Sequence, residues 1–325
     1  MKILSFGEII WDVYETEKFI GGAPLNLAAH CSKQGADSFM LSSVGNDDLG
    51  YSALEIVNNF NVKTNFVSIN EEKETGKCIV TLNENGVPSY NVLTDVAYDY
   101  IKAPENINNS KFDVFCFGTL ALRSKENLET VKSILKNIII KKIYCDINIR
   151  PPFFSDETIL FALSNANILK ISDEELHFVT EACGLKELED IAEIYKNLEF
   201  ILLTQGENGA TVFDCKNKKE YSQKAPKTKV ASTVGAGDSF GATFICEYFK
   251  TNDIQKSLKK ATEISAFVVS KKEAYRQFGN SVAVPVIKRI AEEIIIYLIS
   301  IILLEYYIFL WYNKDDYNSR KETSL

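Results

Sequence analysis

The sequence predicts an α/β fold in which a mostly parallel sheet is covered by helices on both faces. Two observations predict it. Short, continuously apolar runs recur at Lys2–Phe6, Val114–Phe117, Ile143–Ile147, Ile168–Ile171 and Phe200–Leu203, separated by stretches of helical character. These runs also end in small or polar residues: Gly7, Gly118, Asp146, Ser172 and Thr204. In open parallel sheets ligands bind beyond the carboxyl ends of the strands, so those residues are site candidates before any motif is considered.

The elements follow in order. Lys2–Phe6 is too short an apolar run for a secretory signal and reads as a buried first strand. Gly21-Gly22-Ala23-Pro24-Leu25-Asn26 then opens a helix, with Pro24 in its first turn and Gly35 at its end. Residues 77–93 break the pattern. Lys77–Asn83 alternates, Asn85-Gly86 suits a type I′ turn, and Pro88–Leu93 continues extended. A hairpin here is either a small flap or an ordinary edge element. Near the other end, Gly235-Ala236-Gly237-Asp238 leads into an amphipathic helix carrying Phe240, Phe244, Tyr248 and Phe249. No repeat or low-complexity linker interrupts residues 1–290, which read as one domain.

Composition narrows the function. The chain has 325 residues, 46% of them hydrophobic and 25% charged, as expected of a globular protein. Its net charge of -8 argues against nucleic acid as a partner. Seven scattered cysteines without a CxxC pair point to a reducing, cytoplasmic setting. Two histidines, His30 and His177, exclude a zinc site built on several histidines, and no G-x-S-x-G elbow supports a serine nucleophile.

Two blocks carry chemistry. The small-residue turn Thr233–Gly237 allows backbone N–H groups to approach an anion, and the helix start behind it adds free donors and a favourable dipole. It is neither a Walker A loop nor a G-x-G-x-x-G fingerprint. Asp238 suits either a helix cap or a general base. In the first block the paired glycines let backbone approach a ligand, and Asn26 offers both donor and acceptor.

Together these blocks resemble the two signatures of the PfkB (ribokinase-like) family of carbohydrate kinases. Between them, Gly118–Ser124, Asp146–Pro151, Lys170–Glu175 and Thr204–Ala210 are similar, in order and spacing, to segments of its fructokinase-like branch. The resemblance covers about residues 1–280. It implies a doubly wound sheet with a small β lid, supplied by about residues 12–22 and 75–100. It also implies roles. Asp12, Gly22 and Asn26 would bind sugar hydroxyls. Asp238 would be the base, and Gly235, Ala236 and Gly237 the anion hole. Asn148 and Arg150 would face the phosphates, and Ser172, Thr204, Gly206 and Gly209 the nucleotide site. Glu175 would position Mg2+ through water. Taken alone, Arg150 reads more readily as a surface ion-pair residue and Glu175 as a helix-start residue.

The implied activity is transfer of a phosphoryl group from ATP to a primary hydroxyl of a sugar, fructose first. The alternatives are another sugar or sugar acid, such as ribose or 2-keto-3-deoxygluconate, or a weakly catalytic binding protein on the same scaffold. Ser232 stands where the family commonly has Asp, which weighs against a monovalent-cation site. Self-association as a homodimer is left open.

The mean hydropathy of -0.07 averages two unlike parts. Residues 291–325 form an apolar tail in which Ile294–Tyr312 contains only Ser300 and Glu305 as clearly polar members. As a helix it would span about 28 Å, near a bilayer's roughly 30 Å hydrocarbon core. A membrane tether, a greasy helix packed on the domain or a partner, and an abnormal C-terminus from a shifted reading frame all fit it.

Overall fold

The structure, a computed structural model, describes residues 1–82 and 88–271. The chain begins with β1 (Lys2–Phe6), β2 (Ile10–Val13), β3 (Lys18–Gly21), α1 (Ala23–Lys33), β4 (Asp37–Gly45), α2 (Asp48–Asn59) and β5 (Val62–Asn70). The strands β6 (Gly76–Leu82) and β7 (Pro88–Val92) follow, then β8 (Lys111–Gly118), α3 (Lys125–Asn137), β9 (Ile139–Asp146) and α4 (Asp156–Asn165). The remainder is β10 (Ile168–Ser172), α5 (Asp173–Cys183), α6 (Leu188–Ile194), β11 (Phe200–Thr204), β12 (Ala210–Asp214), β13 (Lys219–Gln223), α7 (Ala236–Thr251) and α8 (Ile254–Val269).

Nine strands form the main sheet in the order β13-β12-β11-β10-β9-β8-β1-β4-β5. Neighbours from β11 across to β5 pair in parallel, and β12 runs against both β11 and β13. The chain steps from β1 outward through β4 to β5, then returns to β8 on the other side of β1. The β1/β8 boundary is therefore the topological switch point, where a ligand crevice is expected. Gly7, Glu8, Gly118 and Thr119 stand at or just beyond its strand ends.

Alternation along the buried strands explains why both faces are covered. Leu4, Phe115 and Phe117 pack on one face with Val131 and Ile134 of α3, Leu163 of α4 and Val179 of α5. Ile3, Val114 and Cys116 point the other way, against Leu27 of α1, Phe244 of α7 and Leu258 of α8. A third cluster joins Leu25 and Ala28 of α1 to Val57 of α2. Successive side chains leave a strand on opposite faces, so a continuous apolar run requires two helical layers.

The second sheet has four strands in the order β3-β2-β6-β7. The pairing of β6 with β7 is antiparallel, as expected of residues 77–93. The Asn85-Gly86 turn lies outside the described residues. In addition, β2 pairs in parallel with β6, which joins the two segments expected to build one β element. The strands β4, β5, β12 and β13 were not anticipated. In β4 the buried Ser38, Ser42 and Ser43 dilute the apolar signal, and edge strand β5 is largely half-exposed.

All seven cysteines are free. His30 is buried within α1 and His177 is exposed on α5. The apolar segment 294–312 lies outside the described residues. No helix among the described residues is long and apolar enough to cross a membrane.

Candidate active site

A cleft of about 1310 Å³ opens at the carboxyl ends of the strands, between the main sheet and the smaller one. Every residue given a role by the family resemblance lines it, from Asp12 of β2 to Asp238 of α7, whereas of the five strand-end candidates only Ser172 and Thr204 do. The glycine turn forms its floor. Gly235 adopts the left-handed conformation (φ 77°) that lets the chain turn directly into α7, so Ala236, Gly237 and Asp238 are the first three residues of the helix. The Ala236 N–H donates to the Thr233 carbonyl at 3.2 Å. The N–H groups of Gly235, Gly237 and Asp238 have no acceptor among the described residues. The helix start thus offers three free donors, of which Asp238 N–H replaces Ala236 N–H in the expected set.

Asp238 is not a helix cap. Its Oδ2 accepts the Asn26 side-chain N–H at 2.8 Å, across from α1 to α7. Burial raises its pKa, partly offset by the Asn26 hydrogen bond and the positive charges of Lys170 and Arg150. Arg150 is exposed at the cleft wall, and its contact is a long 3.4 Å bond to the adjacent Ile149 carbonyl. It makes no ion pair among the described residues, so the surface ion-pair reading does not hold. Asn148 holds a left-handed backbone (φ 41°), uncommon outside glycine, which turns the chain after β9 toward the cleft.

Glu175 is more engaged than expected. Its Oε2 accepts the Ser172 N–H and its Oε1 the Ile149 N–H, both at 2.8 Å. Ser172 Oγ in return accepts the Glu175 N–H at 3.2 Å, a capping box that starts α5. One carboxylate therefore ties the loop after β9 to the end of β10. Nearby, Gly209 (φ 102°) admits no side chain, since a Cβ there would lie 2.0 Å from the Gln223 carbonyl oxygen.

Two buried charged residues of the cleft escaped the sequence reading. Lys170 sits on β10 with 6% exposure, and its Nζ bonds Asp146 Oδ1 at 2.9 Å. A Cβ on Gly237 would stand 2.9 Å from that ammonium, so the lysine lies against the glycine turn. Burial lowers the Lys170 pKa, but Asp146, Glu175 and Asp238 more than offset this and hold it above the ordinary value. For Asp146 burial prevails over Lys170 and raises its pKa to about 6. The available signal was a lysine inside the apolar run Ile168–Ile171, a position few charges occupy unpaired. The other residue is Glu8, 2% exposed.

Residues 2–278 match the profile described as pfkB family carbohydrate kinase. This chain belongs to that family. A second profile, C-5 cytosine-specific DNA methylase, matches only residues 265–296, too short a stretch to show a family. The kinase is 26% identical over 289 residues to a probable fructokinase-5 of Arabidopsis thaliana, covering 82% of this chain and 88% of the relative. Among solved structures it resembles an uncharacterized sugar kinase of Pyrococcus horikoshii in complex with ATP (TM-score 0.73, 27% identity, 84% of this chain and 94% of that one). Its fold also resembles a Vibrio cholerae fructokinase in a fructose-, ADP- and calcium-bound form (TM-score 0.73, 20% identity, 86% and 96% covered).

The donor set of the kinase bears on magnesium. Among the described residues no three His, Cys, Asp or Glu side chains converge as a metal site. Magnesium commonly keeps several waters and takes one or two carboxylates together with substrate phosphates. Glu175 on the cleft wall fits that mode, through water, and does not fit an all-protein cage.

Proposed function

We propose that this carbohydrate kinase transfers the γ-phosphoryl group of ATP, bound with magnesium, to a primary hydroxyl of fructose. One observation carries the reading. A carboxylate positioned by Asn26 stands in the same helical turn as three free backbone donors. A general base beside an anion site is what transfer to a hydroxyl requires.

The sugar would lie between Asp12, Gly22 and Asn26, with its hydroxyl against Asp238. As the hydroxyl oxygen attacks the γ-phosphorus, its proton passes to the Asp238 carboxylate. The bond from the γ-phosphorus to the bridging oxygen breaks, and ADP leaves with the electron pair. Charge on the transferred group meets the N–H groups of Gly235, Gly237 and Asp238, while Arg150 faces the phosphates. Because phosphoryl transfer depends mainly on positioning and charge stabilisation, these groups supply most of what the protein must contribute. Magnesium, held by the phosphates and through water by Glu175, would neutralise phosphate charge. Ser172, Thr204, Gly206 and Gly209 would receive the nucleotide. The four-stranded sheet would act as a lid that excludes water, the competing acceptor.

Fructose is chosen because several relatives at 24–26% identity are named fructokinases and a similar fold has been seen with fructose bound. The free cysteines support a cytoplasmic setting. The test is ADP release by purified protein with MgATP and a panel of fructose, glucose, ribose and 2-keto-3-deoxygluconate. Turnover with fructose at the highest kcat/KM is expected. Turnover of another panel member without fructose would overturn the choice of sugar, and none at all would overturn the kinase mechanism.

A further inference from the structure

The cleft contains a buried carboxyl that the transfer step does not use, that of Glu8. Glu8 leaves β1 at the switch point. Its Oε1 accepts the N–H of Ala23, the first residue of α1, at 3.1 Å. Its Oε2 is buried with no hydrogen-bond partner among the described residues. Gly22, the residue before α1, has no side chain with which to cap the helix, so Glu8 performs that task from across the turn. The fit is close. Gly22 has φ 116°, and a Cβ on it would lie 2.3 Å from the Glu8 carbonyl oxygen and 3.3 Å from Glu8 Cγ. One turn further along α1, Asn26 bonds Asp238. The Glu8 carboxyl is thus joined through a single helix start to the residue that positions the base.

The surroundings make its charge consequential. Arg150 after β9 attracts a negative Glu8, whereas Asp238 of α7 repels it. Tyr98, in the 3₁₀ turn Ala97–Tyr100, and Arg123, in the 3₁₀ turn Leu120–Arg123, also feel the Glu8 charge. The Arg123 guanidinium stands 4.9 Å from the Tyr98 ring centre; its Nε and Nη2 bond Asp99 and the Leu93 carbonyl, while its Nη1 and the Tyr98 hydroxyl are buried without a hydrogen-bond partner among the described residues. Burial outweighs the backbone hydrogen bonds of Glu8 and Ala23 and raises the Glu8 pKa to about 7. The protonated acid can occupy this place at low cost. An ionised carboxylate there keeps one oxygen without a partner in a low-dielectric setting, which favours opening of the turn toward water.

We propose that Glu8 is a positioning residue for the sugar site, holding the Gly22–Asn26 turn when protonated and loosening it when ionised, so that sugar affinity falls with rising pH. The inference rests on the sugar lying against that turn, as in the reading above.

The experiment measures KM for the sugar and for MgATP between about pH 6 and pH 8.5, using the panel sugar that is turned over fastest. For the native chain, KM for the sugar should rise between about twofold and tenfold, the range one net hydrogen bond is worth, with KM for MgATP level. Glu8→Gln keeps an acceptor for Ala23 and cannot ionise, so its sugar KM should stay flat across that range. Glu8→Met lacks the acceptor and should show a raised sugar KM at every pH. A Glu8→Gln protein that keeps the native pH dependence overturns the proposal, as does a native sugar KM that does not change with pH. If no panel sugar is turned over, the kinase reading fails separately, and Glu8 is then tested by amide hydrogen exchange at residues 23–26. After correction for base catalysis, protection there should drop between pH 6 and 8.5 in the native chain and hold in Glu8→Gln. Equal protection profiles in the two proteins overturn the proposal.

Discussion

Lys170→Met tests the electrostatic floor of the cleft. Methionine retains much of the apolar stem and removes the ammonium. The lost interaction is the 2.9 Å pair with Asp146, whose two side chains are 8% and 7% exposed. Removing one partner of a buried pair costs about 3–5 kcal/mol, because the remaining charge is stranded. Asp146 has a partial escape. Its pKa is about 6 with Lys170 in place, and loss of the lysine pushes it higher, so the stranded carboxylate takes up a proton. An acid whose folded-state pKa lies above its ordinary value makes the fold less stable as pH rises from the lower value to the higher. The deficit of Lys170→Met should therefore be small at pH 5 and approach its full size at pH 8. The same substitution removes a charge that lowers the pKa of Asp238, so the acidic limb of kcat/KM moves to higher pH. Each unit of movement is a tenfold loss at a fixed acidic pH. Urea denaturation at both pH values and a pH–rate profile measure the two effects. The double variant Lys170→Met/Asp146→Asn should recover most of the stability and keep the displaced limb. A Lys170→Met deficit equal at pH 5 and pH 8, or an acidic limb that stays in place, would refute the reasoning.

Three further outcomes are expected. Asp238→Asn should lower kcat by about 10²–10⁴-fold, the usual contribution of a positioned base, with little change in melting temperature because Asn26 can bond the new amide oxygen. Gly241→Ala should destabilise the protein by about 1–3 kcal/mol in urea, since the added Cβ would lie 2.0 Å from the hydroxyl of fully buried Tyr144. For Glu8 the folded chain keeps a proton that the unfolded chain releases between its ordinary pKa of 4.5 and about 7, so native stability falls through that window. Glu8→Gln lacks this slope and should gain roughly 3 kcal/mol relative to the native chain between pH 4.5 and 7, as read by denaturation at each end.

Much of the fold was legible because its signals are local. The buried strands β1, β8, β9, β10 and β11 are short apolar runs, and the starts of α1 and α7 are written in Pro24 and in Gly235–Asp238. Edge and serine-bearing strands were less legible. In β4, Ser38, Ser42 and Ser43 are nearly fully buried by neighbours the sequence does not reveal, and β12 and β13 complete the sheet through antiparallel pairing at its margin. The candidate site was legible as a set of motifs but not as a network. The residue type alone leaves Asp238 open between helix cap and base, and the resemblance makes it the base; in the structure it makes no cap bond and its Oδ2 accepts from Asn26 on another helix at 2.8 Å. Sequence reading took Ala236 as a free donor, whereas that N–H is occupied by Thr233. Glu175 is a helix-start residue, as its type and place suggest, but the sequence does not show that its second oxygen accepts the Ile149 N–H and ties the loop after β9 to the end of β10.

The sequence by itself determined the class of sheet, the two turns that approach a ligand, and membership in a kinase family. All of these depend on residue types at short, regular spacing. The tertiary structure alone decided which charges meet. Lys170 reaches Asp146 because β10 pairs with β9 in a register that sets them side by side. Glu8 reaches Ala23 because the chain folds back through β2 and β3 before α1 begins. Strand register and burial arise from contacts between distant segments, and they turn a lysine in an apolar run and an acid after Gly7 into parts of one electrostatic site.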